Sequence, residues 1–246
     1  MDVLGDALRL DVRRFPFTIP HHGETTEERV ALVGAVHRDL TARGLVWGGE
    51  FAPELTEALT LFAGGRVTVA MVGSAGRTQR HALAAADDRV GVLAVQQGET
   101  VRFELVEPDA LVPGLLGLLP PLHPGPGASV TVADDTAVSR RRAKDFEEAT
   151  FTSSVNAPRG APDGQRHAAE DILRRPRLGG GYFTVAARGR HGRESEPATM
   201  NWVDTDVGRY AAMPDIGRDG RMRVTYSPAD SGRLGRYLTA LLVQVR

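Results

Sequence analysis

One order of residue patterns occurs twice along this chain. From Arg66, four short runs with strand-like residue types, VTVAMV, RTQRHALAAA, RVGVLAVQ and TVRFELV, follow one another across the breaks GSAG, DD and QGE. That is how a meander of antiparallel hairpins reads. Pro108 then opens a helical run with Leu111, Leu115, Leu116 and Leu119, closed by Pro120 and Pro121. In the second half GYFTVAAR, ATMNWVD, GRYAAM and MRVTYS give four more runs, and Pro228 opens a helix carrying Leu234, Leu238, Leu241 and Leu242. Two anchors align the copies: Asp88-Arg89-Val90-Gly91 with Asp206-Val207-Gly208, and VRFELVEP with MRVTYSP. Gly91 to Pro108 is 17 positions and Gly208 to Pro228 is 20, so the later copy has the longer hairpin loop, PDIGRDG. The expectation is an α+β fold: a central, largely antiparallel sheet with flanking helices, built as two quasi-symmetric halves in which 66–119 overlays 181–243.

The remaining segments fit around this unit. Leu8 to Ile19 alternates like a strand, with Leu8, Leu10, Val12, Phe15 and Phe17 apolar, and Pro16 and Pro20 limit it to an edge or an ending. Thr25 or Thr26 caps a helix with Glu27 and Glu28 in its first turn, one stripe of Val30, Val33, Val36, His37 and Leu40, and a stop at Gly44. A shorter helix starts at Pro53 and stops at Gly64-Gly65. PPLHPGPG at 120–127 joins the halves, 1–127 and 128–246, of what reads as one domain over 1–246. In the second half ASVTVAD at 128–134 is strand-like, and Gln165 to Arg175 is helical. Between them, 139–164 opens on the charged RRRAKDFEE and continues as TSSVNAPRGAPDG. That composition predicts a flexible segment, with 150–164 poorly ordered and protease-sensitive.

Composition removes several chemistries. With no cysteine there is no disulfide, no thiol catalysis and no thiolate zinc site, and the seven histidines show no ligand spacing. No metal and no cofactor are expected: GxGxxG and GxxxxGK[ST] are both missing. The 30 basic and 31 acidic residues leave a net charge of -1, which disfavours nucleic acid, although residues 1–128 hold 11 basic and 16 acidic residues and the rest is basic. No run of about 18 apolar residues predicts membrane insertion, and MDVLGDALRLDVRRF lacks a signal-peptide core, so a cytoplasmic location is expected. Two candidate catalytic features remain. VGSAG at 72–76 has Ser74 but lacks the residue that a nucleophile elbow places between its first glycine and the serine, and it also reads as a hairpin turn. Asp204 and Asp206 alternate at a strand end, where turn chemistry is the other reading. A small-molecule hydrolase using Ser74 or the Asp204 and Asp206 pair is the alternative function, and it requires those groups within about 3 Å of a base.

Three stretches of the first half, FPFTIPHHGETTEERVALVGAVHRDLTARGLV at 15–46, PELTEALTLFA at 53–63 and VLAVQQGETVRFELVEPDALVPGLLGLLPPLHPGPGASVTV at 92–132, carry a family pattern. So do FTVAARGRHGRES from Phe183, WVDTDVGRY at 202–210 and the ending SPADSGRLGRYLTALL. In order and spacing they resemble the EspG family of ESX (type VII) secretion-associated proteins, over nearly the whole chain. The resemblance implies a first helix shortened to MDVLGDALRL and an α+β fold of two quasi-symmetric halves. It implies a non-enzymatic cytosolic chaperone that binds the PPE-type subunit of PE-PPE-like heterodimers, keeps it soluble and supports its delivery to the secretion machinery. A homodimer of the free protein is left open. In that family the loop between the second and third strands reaches the client. Here the loop is Gly73, Ser74, Ala75, Gly76, Arg77 and Thr78, with Leu234, Tyr237 and Leu238 of the last helix as candidate apolar contacts. Leucines at that helical spacing also read as core.

Overall fold

Backbone donors at the start of a helix need partners, and Thr25 and Glu28 supply them reciprocally. The Thr25 hydroxyl accepts the Glu28 N–H at 3.2 Å, and the Glu28 carboxylate accepts the Thr25 N–H at 3.2 Å. This capping box starts α2 (Thr26–Ala42). The computed structural model describes residues 1–76, 78–134, 163–189, 193–217 and 219–245. The expectations for RRRAKDFEE and for 150–162 lie outside those residues, whereas Asp163 and Gly164, expected to be poorly ordered, begin a helix.

The chain opens on α1 (Asp2–Leu8), ended by Arg9 in the left-handed region at φ 55°. A helix was implied there by the family resemblance, but the strand read over Leu8 to Ile19 does not form. After Leu8 the backbone runs without regular structure to Thr25, because Pro16 and Pro20 lack ladder donors and the apolar residues anchor individually. Val12 and Phe17 are buried, Phe17 against Phe62 with ring centroids 5.4 Å apart.

α2 also departs from its reading. Of the stripe, only Leu40 is buried; Val36 is half-buried, and Val30 and Val33 face solvent. A hairpin of β1 (Val46–Trp47) and β2 (Glu50–Phe51) leads into α3 (Pro53–Gly64), which has proline in its first turn and Ala58, Leu59, Leu61 and Phe62 buried.

The expected meander follows as β3 (Val67–Ala75), β4 (Thr78–Ala86), β5 (Gly91–Gln97) and β6 (Thr100–Val106). A single 3-10 turn at Pro108–Ala110 and α4 (Leu111–Leu116) close the first unit. β7 (Val130–Asp134) and α5 (Asp163–Arg174) precede the second unit, β8 (Arg177–Ala187), β9 (Ala198–Thr205), β10 (Gly208–Ile216), β11 (Met222–Pro228) and α6 (Ser231–Val245). α6 begins after Pro228 because that residue still pairs with Tyr210 in the sheet, and the Asp230 carboxylate caps the helix by accepting the Arg233 N–H at 2.7 Å. PDIGRDG is only partly loop, since β10 continues through Pro214 to Ile216 opposite Val224 to Met222.

All nine of the strands from β3 to β11 form one antiparallel sheet, ordered β6-β5-β4-β3-β8-β9-β10-β11-β7. The first strands of the two units, β3 and β8, meet at the centre, Val67 opposite Ala187 and Ala75 opposite Gly179, and each meander unrolls outward from there. Residues two apart share a face. One face carries Val67, Val69, Met71, Phe183, Val185, Met200 and Trp202 under α4 and α6. The other packs Ala70, Leu83, Ala85, Val92 and Ala94 against α3 and the N-terminal strap, and further along Val130, Val132 and Tyr210 against Ala169 and Ile172 of α5. The strand-and-helix order therefore recurs on both sides of the β3–β8 seam, as the sequence pattern predicts.

Candidate functional site

The segment expected to be a client-contacting loop is mostly strand. Gly73, Ser74 and Ala75 pair with Arg80, Gln79 and Thr78 on one side and with Gly181, Gly180 and Gly179 on the other. Between the ends of β3 and β4 the described residues leave Gly76 alone outside the ladder. Gly76 sits at φ 57° with open space where a side chain would project, and Arg77 lies outside the described residues. The correction has a physical cause: glycine on both strands lets the backbones pair close together, so residues that read as turn formers serve as a packed pavement.

That pavement has a reason in the packing. A methyl group at Gly73 would come within 2.5 Å of the Trp202 indole and 2.8 Å of the Gly180 carbonyl oxygen. Trp202 is buried across the glycines and stacks at a tilt on Phe183, with centroids 4.7 Å apart. Its indole Nε1 has no hydrogen-bond partner. A groove of about 160 Å³ opens here, lined by Ser74, Gly76, Leu178, Gly179, Gly180 and Trp202, with Leu178 half exposed at its rim. An exposed leucine beside bare glycine backbone makes a surface that a partner can approach closely, while the unmatched indole donor stays buried beneath it.

α6 presents two different faces. Leu234 and Leu238 are fully buried in the core beneath it, so they hold the helix on the sheet, while Tyr237 is half-buried at the edge of the same cluster. The outward face is where sequence reasoning missed a feature. Between α4 and α6 runs an apolar groove of about 970 Å³, lined among others by Val112, Leu116, Leu119, Arg236, Leu242 and Val243. Its signal was present in the two leucine-rich helical runs that follow Pro108 and Pro228, but not the fact that sheet pairing sets them side by side.

The hydrolase candidates are not assembled. Asp204 is bound by Arg209 in a bidentate pair, Nε to Oδ1 at 2.6 Å and Nη2 to Oδ2 at 2.9 Å, with both side chains buried. The same guanidinium donates to the Pro120 carbonyl at 2.9 Å. Tyr210 donates to the Pro126 carbonyl at 3.0 Å. The Pro/Gly stretch is thereby strapped to β10. Asp206 stands at the following turn, 3.8 Å from Arg175. Ser74 sits in the central strand, with no histidine or carboxylate among the residues lining its groove. No group of three or more metal-ligating side chains occurs among the described residues. No helix there is long and apolar enough to cross a membrane.

The EspG family model matches residues 1–240. The chain belongs to the EspG family. Among solved structures it is similar to the Mycobacterium tuberculosis type VII secretion system chaperone EspG5, determined in complex with the PE25-PPE41 dimer. The TM-score is 0.63 at 14% identity, covering 98% of this chain and 92% of that one. Comparison with curated proteins gives no match. At that identity the likeness to EspG5 speaks to the fold alone.

Proposed function

We propose that this EspG protein is a cytosolic chaperone of type VII secretion that binds the PPE-type subunit of a PE-PPE-like heterodimer, keeps it soluble and supports its delivery to the secretion machinery without turning anything over. The observation that carries the reading is the family match over residues 1–240, joined to two open, largely apolar grooves on a chain whose candidate catalytic carboxylate is committed to a structural ion pair. A holdase needs such surfaces, with polar rims, rather than an acid-base pair.

The docking surface we assign is the glycine-paved groove with the segment Gly73, Ser74, Ala75, Gly76, Arg77 and Thr78, together with the α4–α6 groove and Tyr237. Leu234 and Leu238 contribute by fixing α6 rather than by touching the client. Co-expression with PE-PPE-like pairs, followed by size exclusion, tests the reading. The expected outcome is a soluble three-chain complex, with the pair insoluble or aggregated alone. Pairs that stay soluble alone and elute apart from the chaperone would overturn it.

A further inference from the structure

The outermost strand on the N-terminal side of the sheet, β6, has a neighbour on one edge only. Its free edge is arranged to accept itself. The two-residue turn at Gly98-Glu99, with Gly98 at φ 61°, joins Gln97 to Thr100, and such turns close on a hydrogen-bonded pair. Antiparallel ladders alternate, so Thr100, Arg102, Glu104 and Val106 bond to β5. The backbone N–H and C=O groups of Val101, Phe103 and Leu105 then point outward, and no other strand of the described residues meets them.

We propose that a second copy of this chain pairs antiparallel along this edge, with the two-fold axis at Phe103. In that register Phe103 faces Phe103 of the other copy and Val101 faces Leu105, each as a hydrogen-bonded pair, so all three outward residues exchange both of their bonds. Arg102 falls opposite Glu104 twice, in the closer non-hydrogen-bonded pairs, where opposite charges attract. Within one chain these two exposed side chains already form an ion pair, and the dimer exchanges it for cross-strand pairs.

Side-chain chemistry agrees with backbone geometry. Val101, Phe103 and Leu105 are half-buried on the α3 side of the sheet. Beside them a groove of about 450 Å³ lies between α2 and β6, lined by Val36, Leu40, Leu45, Val101 and Phe103 among others. It provides apolar room for the side chains of an incoming strand. A shift of register by one residue would set Arg102 against apolar neighbours and aim its outward bonds at the wrong groups. The isologous contact is closed, so it yields dimers and not filaments.

The absence of cysteine makes the register readable. Arg102→Cys and Glu104→Cys proteins, prepared separately and mixed under oxidation, should cross-link. Residues 102 and 104 of different copies would stand about 4.5 Å apart at Cα, within disulfide range. Each variant alone would place its cysteines about 7–8 Å apart on the diagonal and should remain uncross-linked. Light scattering of the wild type should show a concentration-dependent doubling of mass, and Val101→Pro, which removes an outward N–H while sparing the ladder to β5, should abolish it. No cross-linking in the mixture, or equal cross-linking in the separate samples, would overturn the proposal. So would a doubling of mass that survives Val101→Pro. Client binding is measured separately and its failure would leave this result untouched.

Discussion

Replacing Arg209 with methionine removes the cation from a pair with no solvent to fall back on. Arg209 is 0% exposed and Asp204 2% exposed, so the carboxylate is left buried, charged and without its two bonds, while the Pro120 carbonyl loses its donor. Breaking a buried pair from one side costs about 3–5 kcal/mol. For a chain of this size each kcal/mol lowers the melting temperature by about 2–4 °C, so Arg209→Met should melt roughly 6–20 °C below wild type. Removing both charges changes the sign of the argument, because a buried pair replaced by apolar groups is often neutral or better. Asp204→Leu with Arg209→Met should therefore recover most of the loss, short by about 1 kcal/mol for the orphaned Pro120 carbonyl. Differential scanning calorimetry on the three proteins measures this, and co-purification with a PE-PPE-like pair checks that the double variant still binds. A single variant melting within about 2 °C of wild type, or a double variant no better than the single, would refute the structural role of the pair. Loss of client binding in a well-folded double variant would return Asp204 to the list of functional groups.

Gly73→Ala should destabilise by about 1–3 kcal/mol, since the new methyl meets the Trp202 ring and a backbone oxygen rather than a flexible chain end; urea melts check it. At the N-terminus the Asp2 carboxyl is held well below its ordinary value of 3.8: burial opposes this, but the His22 N–H at 2.9 Å and the Arg29 guanidinium at 2.6 Å outweigh it. A depressed carboxyl contributes stability that is full above about pH 4 and lost as pH falls toward the folded value. Asp2→Asn should thus loosen the strap at pH 7, read as faster amide exchange over residues 1–25, and the difference from wild type should shrink in acid.

How much of this was legible depended on whether a residue's role was set locally. The threonine cap and acidic first turn of α2, the proline start of α3 and the repeated meander are short-range signals, and the structure contains them, while Pro108 opens a 3-10 turn ahead of α4 rather than the helix itself. The family resemblance rested on order and spacing along the chain, which local variation leaves intact. What failed depended on tertiary partners. Gly73 to Ala75 read as a turn because glycine is usually needed for one, whereas here it makes room for the Trp202 ring, a side chain more than 120 positions away. Val12 and Phe17 belong to a run that reads as a strand, yet they sit in a strap held by buried side chains and local turn bonds, the Arg14 N–H to the Val12 carbonyl at 3.0 Å and the Phe17 N–H to the Arg14 carbonyl at 2.9 Å. Val30 and Val33 read as a packing stripe on a helix whose inner face is Val36 and Leu40. The α4–α6 groove is a product of sheet order, since it exists only because β3 and β8 pair at the seam.

The most direct test of the chaperone reading is calorimetric titration of this protein into a purified PE-PPE-like heterodimer, for wild type and for Leu178→Glu, whose half-exposed position at the groove rim tolerates a charge in the free protein. The wild type should bind with one chaperone per heterodimer, and the variant should bind at least tenfold more weakly with an unchanged melting temperature. No heat of binding from the wild type to any heterodimer that it keeps company with in its own cell would contradict the account, and equal binding by the variant would move the docking site away from the glycine-paved groove.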